Sequence, residues 1–170
     1  MPELPEVETT RRGIEPHLKG ATISAITIYN PALRWPIPGD LASKCQGQQV
    51  TGGSRRAKYI LLHLQTHSLL IHLGMSGSLR LVGQRELRKQ HDHVDIQLSN
   101  RTRLLFNDPR RFGCMLICQQ AEVLQHKLLM GLGPEPLTPA FDGNYLYRLA
   151  KNNSQHQTTQ PTKDKPLAAK

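Results

Sequence analysis

The chain has 170 residues, 38% of them hydrophobic by type, with 22 lysines and arginines against 13 acids and a formal net charge of +9. That length suits one full domain with an appendage better than two domains, and the apolar content suffices for a core, so a wholly disordered chain is excluded. The positive excess attracts polyanions, which puts nucleic acid first among partner classes, with plain solubility as the bland alternative.

The apolar runs Tyr59 to Leu64 and Leu69 to Leu73 are each broken by a histidine. Both fall far short of the roughly 20 residues that span a bilayer, which excludes membrane insertion. The start, MPELPEVETT, carries acids where a secretory signal carries positive charge, so the expected location is the cytoplasm. Cys45, Cys114 and Cys118 are an odd set without repeated pair spacing. They read as small hydrophobic residues of a reducing compartment.

In chain order, residues 5 to 20 predict a helix. Pro5 suits its first turn, Glu6 and Glu8 favour the positive end of the dipole, Pro16 should kink or loosen the last turn, and Gly20 stops it. Val7, Ile14 and Leu18 form one apolar stripe, with residues 1 to 4 outside the helix. From Ala21 to Gln119 the pattern changes to aliphatic and β-branched runs: Ile23 to Tyr29, Arg56 to Leu64, Leu69 to Leu73, Leu79 to Val82, Val94 to Leu98, Arg103 to Phe106 and Gly113 to Cys118. Gly52-Gly53, Gly74 to Gly77, Ser99-Asn100 and Asn107 to Arg111 punctuate them as turns. No helical segment separates successive strands, so the order is antiparallel. The fold class is α+β and mainly β: an antiparallel β-sandwich with a packed N-terminal helix. Ala121 to Met130 predicts a short helix, GLGPEP a linker, and Phe141 to Lys151 a further helix. Residues 152 to 170 are rich in Gln, Thr, Lys and Pro and predict a disordered tail. The domains are therefore 1–133, then 134–151, then the tail 152–170.

Chemistry is concentrated first at Met1-Pro2-Glu3. A small second residue permits removal of the initiator methionine, which exposes the secondary amine of Pro2. An α-amino group titrates near 7.7 to 8.0, well below lysine, so much of it is unprotonated at neutral pH and nucleophilic. Attack on a sugar or carbonyl carbon gives an iminium, an effective electron sink, while Glu3 can protonate an oxygen of the same substrate. Taken alone, the same residues read as a processing signal and a solvated charge.

MPELPEVETTRRG resembles the N-terminus of the formamidopyrimidine-DNA glycosylase family, bifunctional enzymes that excise oxidised purines and nick the strand. Further matches follow in order: RRAKY at 55–59, HLGMSGSLR at 72–80, KQHDHVD at 89–95, NDPRRFG at 107–113 and LGPEPL at 132–137. The likeness covers residues 1 to about 150 and is closer than that to the endonuclease VIII relatives, where glycine typically replaces the leucine after the first glutamate. It implies Pro2 as the Schiff-base nucleophile at C1′, Glu3 as the acid assisting opening of the deoxyribose, and Lys58 as the β-elimination lysine. It also implies Met75, Arg110 and Phe112 as the residues that fill the gap left by a flipped nucleotide, Arg110 reading the orphaned cytosine, and His91 as a phosphate contact. The physics is coherent, because soft or flat groups recover stacking and a guanidinium bonds the orphaned base. Each of these residues has an ordinary alternative: Lys58 as a strand charge, Met75 and Phe112 as core. Glu6 reads either as a second buried carboxylate of the pocket or as a helix N-terminal charge. His91 and His93 should share a strand face, but two ligands without a third are weak grounds for a metal.

Family members continue with a helix-two-turn-helix module and a four-cysteine zinc finger. Here only the first helix of that module is recognisable, and no paired CxxC spacing occurs, so no zinc and no other cofactor is expected. The composition change suggests a truncated or frame-shifted product with weakened DNA affinity, a monomer prone to self-associate through the face left uncovered. The expected function is base-excision repair of 8-oxoguanine and formamidopyrimidines in double-stranded DNA, by a glycosylase and abasic-site lyase. The competing readings are an inactive remnant that binds damaged DNA, and an N-terminal-proline tautomerase acting on a small keto acid, which matches none of the later motifs.

Overall fold

The structure, a computed structural model, describes residues 1–135, 138–140 and 142–156, with side chains described as far as residue 151. Helix α1 (Leu4–Leu18) is followed by β1 (Ile23–Ile28), α2 (Leu41–Cys45), β2 (Val50–Arg56), β3 (Tyr59–Leu64), β4 (His67–His72), β5 (Ser78–Gly83), β6 (Asp92–Leu98), β7 (Thr102–Asn107) and β8 (Cys114–Gln119). A 3₁₀ segment (Gln120–Gln125), α3 (Lys127–Met130) and α4 (Gly143–His156) complete the order. Met1–Leu132 forms one compact unit and the chain from Gly133 a second.

Two four-stranded antiparallel sheets make the sandwich, in the orders β1-β6-β7-β5 and β2-β3-β4-β8. Alternation selects the inward faces: Ile60, Leu62 and Leu64 on β3 meet Val94, Ile96 and Leu98 on β6 and Leu104 and Phe106 on β7 in one core. The α1 stripe Val7, Ile14 and Leu18 joins that core, each side chain contributing about 1.5–3 kcal/mol by burial. A second cluster, with Leu61, Leu70, Val123 and Leu129 at its centre, lies on the other face of β3 and β4. Those strands are buried on both sides, which is why they read as near-continuous apolar runs.

Three local expectations are corrected. The run Arg56 to Leu64 is not one strand: Arg56 ends β2 and pairs with Tyr59, so Ala57 and Lys58 form a two-residue hairpin turn, with Ala57 at φ 49°. Gly52 and Gly53, expected as a turn, lie inside β2, where a side chain on Gly53 would face Glu15 of α1. The helix expected over Ala121 to Met130 is a 3₁₀ segment, a break at His126 and the single turn of α3, whose Leu128 N–H donates to the His126 imidazole. Helix α2, with Leu41 and Cys45 buried, is too short to leave a periodic signal.

Helix α1 runs through Pro16 to Leu18, and Gly20 at φ 89° turns the chain out. In the second unit, α4 continues past residue 151 to His156, beyond its expected end. Phe141 and the tail from residue 157 lie outside the described residues. Among the described residues no helix is long and apolar enough to cross a membrane.

Candidate active site

The first turn of α1 fixes the start of the chain. Glu3 is the N-cap and forms a capping box with Glu6, whose Oε2 accepts the Glu3 N–H at 2.7 Å. Glu6 is exposed, so it is no buried pocket carboxylate; the helix N-terminus accounts for its position. One turn on, Glu8 ties α1 to β2 by accepting from Arg11 at 2.7 Å, Arg12 at 2.8 Å and Arg55 at 3.2 Å. The hydrogen bond from Arg11 leads the effects that hold the Glu8 carboxyl down, at about 2. Arg11 also pairs with Glu15 and donates to the Gly53 carbonyl at 3.2 Å. The end of α1 that carries Pro2 and Glu3 is thus anchored on the sheet.

The β2–β3 hairpin delivers Lys58 to that anchored end, where its Nζ lies 3.0 Å from Glu3 Oε2. Pro2 is half-buried and Met1 is 61% exposed. Pro2 lines a hollow of about 420 Å³ together with Glu6, Thr10 and Met75. A second hollow of about 370 Å³ is lined by Met1, Arg34, His72, Gly74, Met75 and Phe112. Met1 and Met75 border both. The start of the chain and Met75 thus line both neighbouring hollows, and Phe112 lines the second. The third gap-filling candidate, Arg110, lies with its guanidinium 5.1 Å from the Phe112 ring centroid. Met75 and Phe112 are each 43% exposed, which removes the reading of both as core.

The His91 and His93 rings meet edge to face with centroids 6.3 Å apart, but they differ in burial and in partners. His91 precedes β6, is exposed and has φ 69°, whereas His93 is buried and its Nε2–H donates to the Asp108 carbonyl at 2.8 Å. Among the described residues no three or more His, Cys, Asp or Glu side chains gather as a metal site. Cys45 and Cys114 are buried and Cys118 is half-buried, all three as free thiols.

Sequence reasoning passed over Arg34, His72 and Asp108. Burial leads the effects that push the His72 imidazole below its usual range, with Lys58 and Arg34 adding to it. Its Nδ1 accepts the Gly74 N–H at 2.9 Å, so the neutral ring carries its proton on Nε2 as a donor beside the second hollow. Arg34 borders the same hollow, and its backbone N–H donates to the Arg111 carbonyl at 2.8 Å. His72 lies in the matched segment HLGMSGSLR, but nothing in the order of residues shows that Arg34 folds back beside it. A larger hollow of about 580 Å³, lined by Tyr29, Asp95 and Arg103 among others, contains none of the predicted residues.

The profile of the formamidopyrimidine-DNA glycosylase N-terminal domain matches residues 1–115. The chain belongs to the formamidopyrimidine-DNA glycosylase family. It is 52% identical over 151 residues to the formamidopyrimidine-DNA glycosylase of Marinobacter nauticus, covering 89% of this chain and 55% of that protein. The Legionella pneumophila glycosylase of the Philadelphia 1 strain is also 52% identical, over 155 residues, with 91% and 56% covered. Among solved structures it is similar to the Lactococcus lactis glycosylase in complex with DNA containing an abasic site, with a TM-score of 0.78 and 33% identity over 87% of this chain and 55% of that one. An inhibited form of the same glycosylase on DNA containing N7-benzyl-Fapy-dG superposes with a TM-score of 0.80, at 32% identity. The chain spans about half the length of these glycosylases.

Proposed function

We propose that the chain acts in base-excision repair, excising oxidised purines such as 8-oxoguanine and formamidopyrimidines from double-stranded DNA and cleaving the abasic strand. The observation that carries this reading is the 3.0 Å contact between Glu3 and Lys58, since it brings a carboxyl group and a cation next to Pro2, the proposed nucleophile. Cytoplasmic action is part of the reading and agrees with three free thiols.

In this mechanism the damaged nucleotide swings out of the stack, and Met75, Arg110 and Phe112 enter the gap. The Pro2 nitrogen bonds to C1′ while the bond from C1′ to the base breaks, its electron pair leaving with the base, which takes up a proton. Glu3 takes up the proton that the Pro2 nitrogen loses and passes it to the deoxyribose ring oxygen as the ring opens, leaving an iminium between Pro2 and C1′. A proton then leaves C2′ and the 3′ phosphate departs with the electron pair of its C–O bond. Lys58 neutralises the departing phosphate, and water hydrolyses the iminium to return the amine. The cation beside Glu3 keeps that carboxylate oriented between turnovers, while His91 and the overall positive charge hold the duplex backbone.

Borohydride reduction during incubation with a duplex carrying 8-oxoguanine opposite cytosine tests the proposal. A covalent protein–DNA adduct with the wild-type chain, absent for Pro2→Gly, is the expected result. A clean protein mass at high protein and duplex concentration would overturn it in favour of a non-catalytic DNA-binding role.

A further inference from the structure

We infer that Asp108 is a positioning residue which sets the spacing of the gap-filling side chains, an inference that rests on the repair reading above. Asp108 is completely buried, with none of its surface accessible. Its Oδ1 accepts the Ser76 hydroxyl at 2.8 Å and its Oδ2 accepts the Gly113 N–H at 2.8 Å. The Ser76 oxygen in turn accepts the Arg110 N–H at 3.1 Å. Ser76 follows Met75 and Gly113 follows Phe112, so one carboxylate reaches, directly or through one hydroxyl, a neighbour or the backbone of each gap-filling residue.

The backbone of Asp108 extends the same network toward the proposed phosphate contact. Its N–H donates to the His91 carbonyl at 3.0 Å, and its carbonyl accepts from Arg111 at 3.2 Å and from His93 at 2.8 Å. The two loops also touch without slack. A Cβ on Gly74, whose φ is +62°, would lie 2.5 Å from Gly113 N and Phe112 C, and one on Gly113 would lie 2.9 Å from Asp108 Oδ2. Among the described residues no ion pair neutralises this carboxylate; hydrogen bonds from a hydroxyl and an amide replace its water. A buried carboxyl group is costly to hold unless its hydrogen bonds are met, and the bonds that meet them here fix the geometry of both loops. Asparagine keeps the shape but loses one acceptor, and its amide would point at the Gly113 N–H or at Ser76. The loops would then shift relative to each other, and displacements of about 1 Å cost up to about 10²-fold in rate.

The test compares wild type with Asp108→Asn on three substrates under single-turnover conditions: 8-oxoguanine opposite cytosine, 8-oxoguanine opposite adenine, and an abasic site in single-stranded DNA, where no stack needs filling. Asp108→Asn should slow excision opposite cytosine by about 10²-fold, shrink the preference for cytosine over adenine, and leave single-strand nicking within about 2-fold. Ser76→Ala, which removes only the bridging hydroxyl, should show the same pattern at about 10-fold and keeps the test open should Asp108→Asn not fold. Equal losses on all three substrates, or unchanged excision opposite cytosine, would overturn the inference. A wild-type chain that forms no borohydride adduct and nicks no substrate would instead defeat the repair reading itself.

Discussion

The two halves of the proposed site are built on opposite principles. At the chain start Pro2 is half-buried, the Glu3 side chain is 65% exposed, and a contact at 3.0 Å joins Glu3 to Lys58. The loops carrying Met75, Arg110 and Phe112 present exposed tips, yet their bases converge on the fully buried Asp108. Under the proposed function, each half has a different task. A nucleophile and its acid need access to a sugar and room for bonds to change, whereas a probe that measures a gap in a base stack needs a fixed origin.

The sharpest way to break the contrast is at the exposed half. Glu3→Gln keeps the capping geometry but removes the proton donor, and should lower excision by about 10²- to 10⁴-fold with little change in melting temperature. A rate within a few-fold of wild type would show that the exposed carboxylate is not the acid.

The stapled half should respond in the opposite way, through stability. Gly74→Ala forces a methyl into backbone 2.5 Å away at a positive φ. It should destabilise the fold by roughly 3 kcal/mol and lower Tm by roughly 6 to 12 °C, measured by circular dichroism. An unchanged melting curve would mean that the loops have slack.

These two halves were also unequally legible in the sequence. The antiparallel strands, the α1 stripe and every proposed chemical residue follow from apolar period and matched motifs, because both are local. Asp108 looked like a turn former, as aspartate before proline usually does, and its burial is decided by Ser76, 32 positions away. Arg56 to Leu64 misled for a related reason: a hairpin turn of Ala57 and Lys58 has neither the glycine nor the asparagine that marks such turns. Gly52 and Gly53 misled in the other direction, since the close approach of Glu15 that sets their context is a tertiary fact. His93 shows the same limit, because its burial and its bond to the Asp108 carbonyl, which distinguish it from exposed His91, are tertiary facts.

A smaller effect tests the anchor beneath the exposed half. The folded-state Glu8 carboxyl lies at about 2 against an ordinary 4.5. A depressed carboxylate adds stability that is full above pH 4.5 and drains away as pH falls toward 2. Glu8→Gln should therefore cost about 1 to 2 kcal/mol at neutral pH, with the gap to wild type closing between those limits in chemical denaturation. A gap that stays constant with pH would show that packing, not charge, anchors α1.

The smallest expected effect is on the thiols. Burial pushes Cys45 up to about 12 and Cys114 to about 11. Neither should react appreciably with a thiol reagent at neutral pH while the chain is folded, and both should react once it is unfolded in guanidinium. Rapid native labelling of Cys114 would indicate that the sheet end behind the gap-filling loops opens readily.

The most direct test of the account is to locate the covalent bond. After borohydride reduction on a duplex with 8-oxoguanine opposite cytosine, tryptic digestion and mass spectrometry should place the sugar remnant on the peptide that begins at Pro2 and ends at Arg11. A remnant on Lys58 or another lysine, or a mature chain that still begins with Met1, would contradict the claim that the secondary amine of Pro2 is the nucleophile.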